Sequence, residues 1–147
     1  MKIRLYRKTD LESLIGLWRD CGLVKPQNDP AKDIDRKLKA NAGWLLVGEE
    51  QGVLVASVMV GYDGHRGWIN YLAVSPDFQK KGLGRQMMER AEKELNKVGC
   101  AKINLQVRKV NRAVLGFYRS LGFVDDKVIS LGKRLVDDSG QGRPKRV

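Results

Sequence analysis

The residues best able to do chemistry form one short run, Gln79-Lys80-Lys81-Gly82-Leu83-Gly84-Arg85. It falls between a predicted strand and a predicted helix. Gly82 and Gly84 carry no side chain, so the backbone can approach a ligand closely there. A helix start has unpaired N–H groups and a partial positive charge. Lys80, Lys81 and Arg85 add full charges beside them. Such a corner suits a diphosphate. A Walker loop needs Gly-x-x-x-x-Gly-Lys-Ser/Thr and a dinucleotide fingerprint needs Gly-x-Gly-x-x-Gly; the run matches neither. A glycine-rich turn with charged neighbours is the plainer alternative.

Few other residue types compete. A single histidine, His65, excludes multi-His metal sites and leaves little room for a Ser-His-Asp triad. Two cysteines, Cys21 and Cys100, cannot make a disulfide framework or a four-ligand metal site, so no metal is expected. Both sit at predicted helix ends beside apolar residues and lack a base nearby in sequence. Buried structural thiols are the expectation. Trp18, Trp44 and Trp68 are expected to fill the core.

Charge points the same way as the glycine run. The chain carries 28 Lys or Arg against 17 Asp or Glu, a net charge of +11. Residues 1–62 hold ten basic and eight acidic groups, residues 63–136 fifteen and seven. The excess therefore sits in the second half, which suggests a polyanionic partner or, more plainly, a solubilising surface. Nucleic acid is disfavoured because no zinc-finger, RRM or repressor-like pattern appears.

The elements that must position these residues are legible from periodicity. Lys2–Tyr6 alternates as a strand. Thr9-x-x-Glu12 reads as a capping box ahead of a helix carrying Leu11, Leu14, Ile15 and Trp18. Asp29-Pro30 opens a second helix with Ile34 and Leu38, closed by Gly43. Trp44–Gly48 and Val53–Gly61 form a hairpin, and Trp68–Val74 a fourth strand. A third helix follows from Gly82 to Lys97, with Leu83, Met87, Ala91 and Leu95 on one face. Lys102–Val107 is a fifth strand, and Asn111 caps a fourth helix bearing Val114, Phe117, Tyr118 and Leu121. Gly122-Phe123 and Val128–Leu131 read as short final strands. With 147 residues this is one α/β domain, residues 1–136, followed by a polar tail, 137–147, expected to be disordered. No apolar run reaches the roughly 18 residues of a membrane span, and the start lacks a signal peptide's apolar core. No membrane association and a cytoplasmic location are therefore expected.

Three blocks then resemble a known family, the GNAT (Gcn5-related) N-acetyltransferases. Gln79-x-x-Gly82-x-Gly84 matches the family's Gln/Arg-x-x-Gly-x-Gly/Ala signature. Tyr71-Leu72-Ala73-Val74-Ser75-Pro76 resembles its fourth-strand end, and Asn111-x-x-Ala-x-x-Phe117-Tyr118-x-x-x-Gly122-Phe123 its second block. Asp63–Gly67, Asn28–Pro30 and Ser130–Leu135 are further similar to a bacterial YpeA-like group. The resemblance implies a mixed sheet of about six to seven strands. That sheet would be mostly antiparallel, with a splayed parallel pair at the fourth and fifth strands and four flanking helices.

It also implies acetyl-CoA as acetyl donor and an amine of a small molecule or protein as acceptor, joined in a ternary complex. Lys81 to Arg85, with Gln79 and Lys80, would hold the diphosphate. Leu72, Ala73 and Val74 would meet pantetheine like an added strand. Asn111 would touch the cofactor while also capping its helix. Tyr118 would be the general acid, its alternative being a core aromatic. No base is legible. Gln106 stands where some members place a glutamate, and His65 sits in a Gly-flanked turn that favours a conformational role. Deprotonation through water is the default. Asp29, Asp33 and Asp35 could meet a cationic acceptor, or simply match the helix start. An acyl-CoA sensor without activity is the alternative function, and a homodimer is left open.

Overall fold

The computed structural model describes residues 1–41 and 44–140. Its elements are β1 (Lys2–Leu5), α1 (Leu11–Asp20), α2 (Pro30–Asn41), β2 (Leu45–Glu50) and β3 (Val53–Tyr62). They continue as β4 (Gly67–Val74), α3 (Leu83–Lys97), β5 (Ile103–Leu105) and α4 (Arg112–Ser120). One five-stranded sheet runs in the order β1-β2-β3-β4-β5. The first four strands are antiparallel neighbours and β4–β5 is parallel.

Period-2 alternation places a core on each face of the sheet. Leu45, Val47 and Ala73 face Leu14, Leu17, Trp18 and Ile34 of α1 and α2. Leu46, Ala56, Val58, Val60 and Ile69 face Met87, Met88, Ala91 and Leu95 of α3, with Tyr118 of α4. Each fully buried aliphatic side chain contributes about 1.5–3 kcal/mol. The expected face of α3 is the observed one. Asp29 caps α2 as expected, its Oδ1 accepting the N–H groups of Ala31 (2.9 Å) and Lys32 (3.3 Å). The expected stop at Gly43 lies outside the described residues.

The Thr9 capping box is not formed. Asp10 takes that role, accepting the N–H of Arg7 at 2.7 Å, and its carboxylate is gripped by two N–H groups of Arg4, each at 2.8 Å. Arg4 also donates to Glu49 at 2.6 Å, tying β1 to β2. The Arg4 guanidinium holds the Asp10 carboxyl below its ordinary value. That stabilisation is present above the unfolded carboxylate pKa and fades as pH falls through the lower folded value. Arg4→Met is expected to cost about 3 kcal/mol at neutral pH by stranding a buried carboxylate. Thermal unfolding at pH 7 and pH 3 checks this: the deficit should shrink at the lower pH.

Among the described residues the sheet has five strands, not six or seven. Gly122 and Phe123 do not start a strand. Phe123 instead returns its N–H to the carbonyl of Tyr118 at 3.1 Å and packs its ring edge-on against Tyr118. Residues 124–136 form no ladder, because side chains intervene. Asp126 accepts from Lys102 (2.8 Å) and Asn104 (2.7 Å), and Gln106 donates to Ser130. The start of the expected tail is anchored: Arg36 donates twice to Asp138, at 2.6 and 3.0 Å. Residues 141–147 lie outside the described part.

Candidate active site

The glycine run forms the corner its sequence suggests. Gly82 precedes α3 in the left-handed conformation, φ +79°, which only glycine adopts freely. A Cβ built there would meet nothing within 4 Å, so the space before it is open. No side chain caps the helix and its first turn holds no acid. The first backbone bond of the helix runs from the Gln86 N–H to the Gly82 carbonyl, which leaves the N–H groups before Gln86 for a ligand. Lys80 and Lys81 are exposed, and Lys81 lies 5.2 Å from the Phe78 ring. Free donors, three cations and no competing carboxylate on the first turn fit a diphosphate.

Gly84 is needed for a different reason than open access. A Cβ on it would sit 3.2 Å from the Phe117 ring and 3.8 Å from Val74. Gly84 therefore lets α3, α4 and β4 converge. Gln79 ties the loop down by donating to the Val74 carbonyl at 3.0 Å, and the Cys21 thiol donates to that carbonyl at 3.3 Å. Leu83 and Ala73 are both buried, and Ala73 joins the core beneath α1 and α2.

β4 and β5 pair only at Gly67–Ile103, Trp68–Asn104 and Ile69–Leu105. Beyond that the strands part, which leaves Asn70–Val74 without a neighbour on that edge. At the same place β4 is bulged: Ser57 pairs with Ala73 and Met59 with Asn70, so Tyr71 and Leu72 face Val58 alone. Tyr71 has φ +50°. A left-handed tyrosine costs on the order of 1–2 kcal/mol, and three contacts hold it. Trp18 stacks on its ring at 3.8 Å, its hydroxyl donates to Asp33 at 2.7 Å, and the Ser57 hydroxyl donates to its carbonyl at 2.8 Å. Trp18 in turn donates to Ser57 at 2.9 Å. Burial and the Asp33 carboxylate push the Tyr71 phenol up, so it stays protonated. The conformation persists because the surrounding contacts over-determine it, and no sequence signal announced it.

Tyr118 lies on α4, its ring edge-on to Phe117 (5.1 Å) and Phe123 (5.6 Å). Burial pushes its phenol up to about 12. The hydroxyl makes no hydrogen bond among the described residues, yet no buried side-chain polar atom there lacks a partner. It therefore keeps an opening to the outside. Asn111 caps α4 through Oδ1, which accepts the Val114 N–H at 3.2 Å. Its Nδ2 stays available to donate.

Other candidates fall elsewhere. His65 is exposed in the turn that precedes Gly67, and β4 separates it from the Val74 end by roughly 23 Å. His65→Gln is expected to leave the pH–rate profile unchanged; a lost limb would contradict this placement. The cysteines are half-buried rather than buried, and burial pushes the Cys21 thiol up, away from the nucleophilic thiolate. Trp18 is fully buried, but Trp68 is 36% exposed and donates to Asp63 rather than filling the core. Asp33 reaches the bulge, whereas Asp35 pairs with Lys39.

A model of the acetyltransferase (GNAT) family matches residues 11–123. An acetyltransferase of Pectobacterium atrosepticum is 48% identical over 138 residues, 94% of this chain and 98% of that protein. One from Yersinia enterocolitica is 46% identical over the same shares. In fold the chain is similar to the PaiA N-acetyltransferase of Thermoplasma acidophilum, solved in complex with coenzyme A. The TM-score is 0.75 at 20% identity, over 87% of this chain and 92% of that one. With a splayed strand pair, an uncapped helix start and relatives this similar over nearly their whole length, the chain belongs to the GNAT acetyltransferase family and is an N-acetyltransferase.

Proposed function

We propose that the chain transfers the acetyl group of acetyl-CoA to an amine of a small molecule or protein, by direct attack within a ternary complex. The uncapped start of α3, beside the Val74 end of β4 where pairing with β5 has stopped, carries this reading. Acetyl-CoA supplies an acetyl group activated as a thioester. The N–H groups from Lys81 to Arg85 hold its diphosphate, with Lys80, Lys81 and Arg85 as counter-charge. Leu72 and the Val74 N–H take the pantetheine as an added strand would. The Val74 carbonyl is already engaged by Gln79 and Cys21. The bulge frees one β4 amide from the β3 ladder, and that N–H is the donor for the developing oxyanion.

The acceptor amine must first lose a proton, since a lysine-like amine has a pKa near 10.4. Gln106 has no carboxylate and is bonded to Ser130, so water carries that proton. Tyr118 protonates the departing thiolate. Its pKa of about 12 lies above the roughly 8.5 of a thiol. Donation is therefore uphill, and a direct hydrogen bond from the hydroxyl to the growing charge on sulfur narrows the gap. Asp33, which accepts the Tyr71 hydroxyl at the bulge and pairs with Arg36, is the carboxylate offered to a cationic acceptor.

Titration with acetyl-CoA while following thermal unfolding, then a panel of amines assayed for thiol release, tests the reading. A higher melting temperature and release with at least one amine are expected. No shift would overturn the cofactor; a shift with no release from any amine would favour the sensor.

A further inference from the structure

We propose that the acceptor is a small amine that also carries an anionic group, a carboxylate or a phosphate, and that Lys133 and Arg134 seat that group. The inference rests on the acetyl-transfer reading above and narrows the class of its acceptor. An open cavity of about 620 Å³ is lined by Arg36 of α2 and by Gly132–Val136 of the segment after α4. That volume is in the range of small-molecule sites. The cavity wall is tied to the β4 bulge. Arg36 donates to one oxygen of Asp33 at 3.1 Å, and the Tyr71 hydroxyl donates to the other at 2.7 Å. Two hydrogen bonds thus separate the cavity's arginine from the strand that offers its freed amide to the oxyanion.

The cations around the cavity are unequally compensated. Arg36 is paired with both Asp33 and Asp138. Arg134 meets only neutral oxygens: its Nη1 donates to the Asn28 side chain at 2.7 Å and to the carbonyls of Gln27 (3.3 Å) and Val136 (3.5 Å). Its Nε and Nη2 have no acceptor among the described residues. That edge of a guanidinium is a fork matching two oxygens of a carboxylate or phosphate. Asp137 does not fill it, being bonded to the N–H (2.9 Å) and hydroxyl (2.6 Å) of Ser139. Lys133 is exposed, and its ammonium has no partner among the described residues. Leu135 and Val136, 71% and 52% exposed, add apolar wall.

These cations are also held in place. Besides the Arg134–Asn28 bond, the Asp138 N–H donates to the Gln27 carbonyl at 3.1 Å and its carboxylate accepts the Asp29 N–H at 2.9 Å. The segment is thereby pinned to the loop before α2, and a seat fixed in advance loses little freedom on binding. A neutral amine gains nothing from Lys133 and Arg134, whereas an anion gains charge-assisted bonds. With Asp33 beyond Arg36 for the amine end, the arrangement matches a molecule bearing both groups.

Steady-state kinetics with matched acceptors test this on the full chain: phenylalanine against phenethylamine, and phosphoethanolamine against ethanolamine. The anionic member of at least one pair should be acetylated with a kcat/KM about tenfold higher or more. Which pair separates tells carboxylate from phosphate. Lys133→Glu and Arg134→Gln should each lower that preference about tenfold, chiefly through KM, because the seat binds a part of the acceptor that does not react. Both variants should keep the acetyl-CoA-induced rise in melting temperature, which shows that they are folded. Equal kcat/KM within both pairs overturns the proposal and leaves acetyl transfer standing. So does a preference that neither variant reduces. Thiol release with none of these amines, the acetyl-CoA rise being intact, also overturns it; no rise at all strikes the reading on which it rests.

Discussion

Gly82→Glu is expected to abolish the rise in melting temperature that acetyl-CoA produces in the wild-type chain. At a ligand concentration 100-fold above Kd, binding stabilises the folded state by about 2.7 kcal/mol. For a chain of this size that is a shift of about 5–10 °C. The new side chain fits, since nothing lies within 4 Å of its Cβ. It places a carboxylate in front of the free N–H groups that would receive the diphosphate, so charge repulsion replaces attraction. The left-handed φ of +79° adds a separate cost of about 1–2 kcal/mol for any Cβ, lowering the melting temperature without ligand. Gly82→Ala carries the same strain without the charge and should keep part of the shift. Differential scanning fluorimetry of the three proteins with and without acetyl-CoA separates the effects. An undiminished shift in Gly82→Glu would show that the diphosphate lies elsewhere.

Tyr118→Phe should lower kcat by about 10²–10⁴-fold, the range of general-acid catalysis, with little change in acetyl-CoA affinity. Its hydroxyl holds nothing in the fold together, so the melting temperature at neutral pH should hardly move. The pH dependence has a definite sign. The folded phenol, at about 12, sits above the unfolded value near 10. The folded state therefore keeps its proton where the unfolded chain loses it. Wild-type stability falls as pH rises from about 10 to 12, and Tyr118→Phe lacks this decline. Below pH 10 the residue contributes no pH dependence to stability. Steady-state kinetics with thermal melts at pH 8 and pH 11 check both statements. Activity within threefold of wild type would remove Tyr118 from the chemistry and return it to the role of a core aromatic.

Several parts of the site were legible because their causes are local. The Gln79-x-x-Gly82-x-Gly84 run marks a helix start, and Leu83, Met87, Ala91 and Leu95 define the buried face of α3 by spacing alone. Asn111 could be read as a cap because a cap bonds within three residues. The splay of β4 from β5 came through family resemblance, since no residue in either strand states where pairing stops. Gly84 was recognised, but its reason was not: the obstruction is Phe117, 33 residues on. The final strands were overread, because alternation shows that a segment suits a strand, not that an edge lies within reach.

By itself the sequence determined the succession of helices and strands as far as α4, the donor-rich start of α3 and the placement of cations around it. All of these arise from hydrogen bonds, periodicities and charges within a few residues of one another. The bulge at Tyr71 was decided only by tertiary structure. Its left-handed backbone is held by Ser57 and Asp33, and Ser57 is itself bonded by Trp18, 39 residues before it; Asp33 and Tyr71 are 38 apart. A strained conformation persists only when distant contacts together outweigh its cost, and those contacts exist only once α1, α2, β3 and β4 have packed.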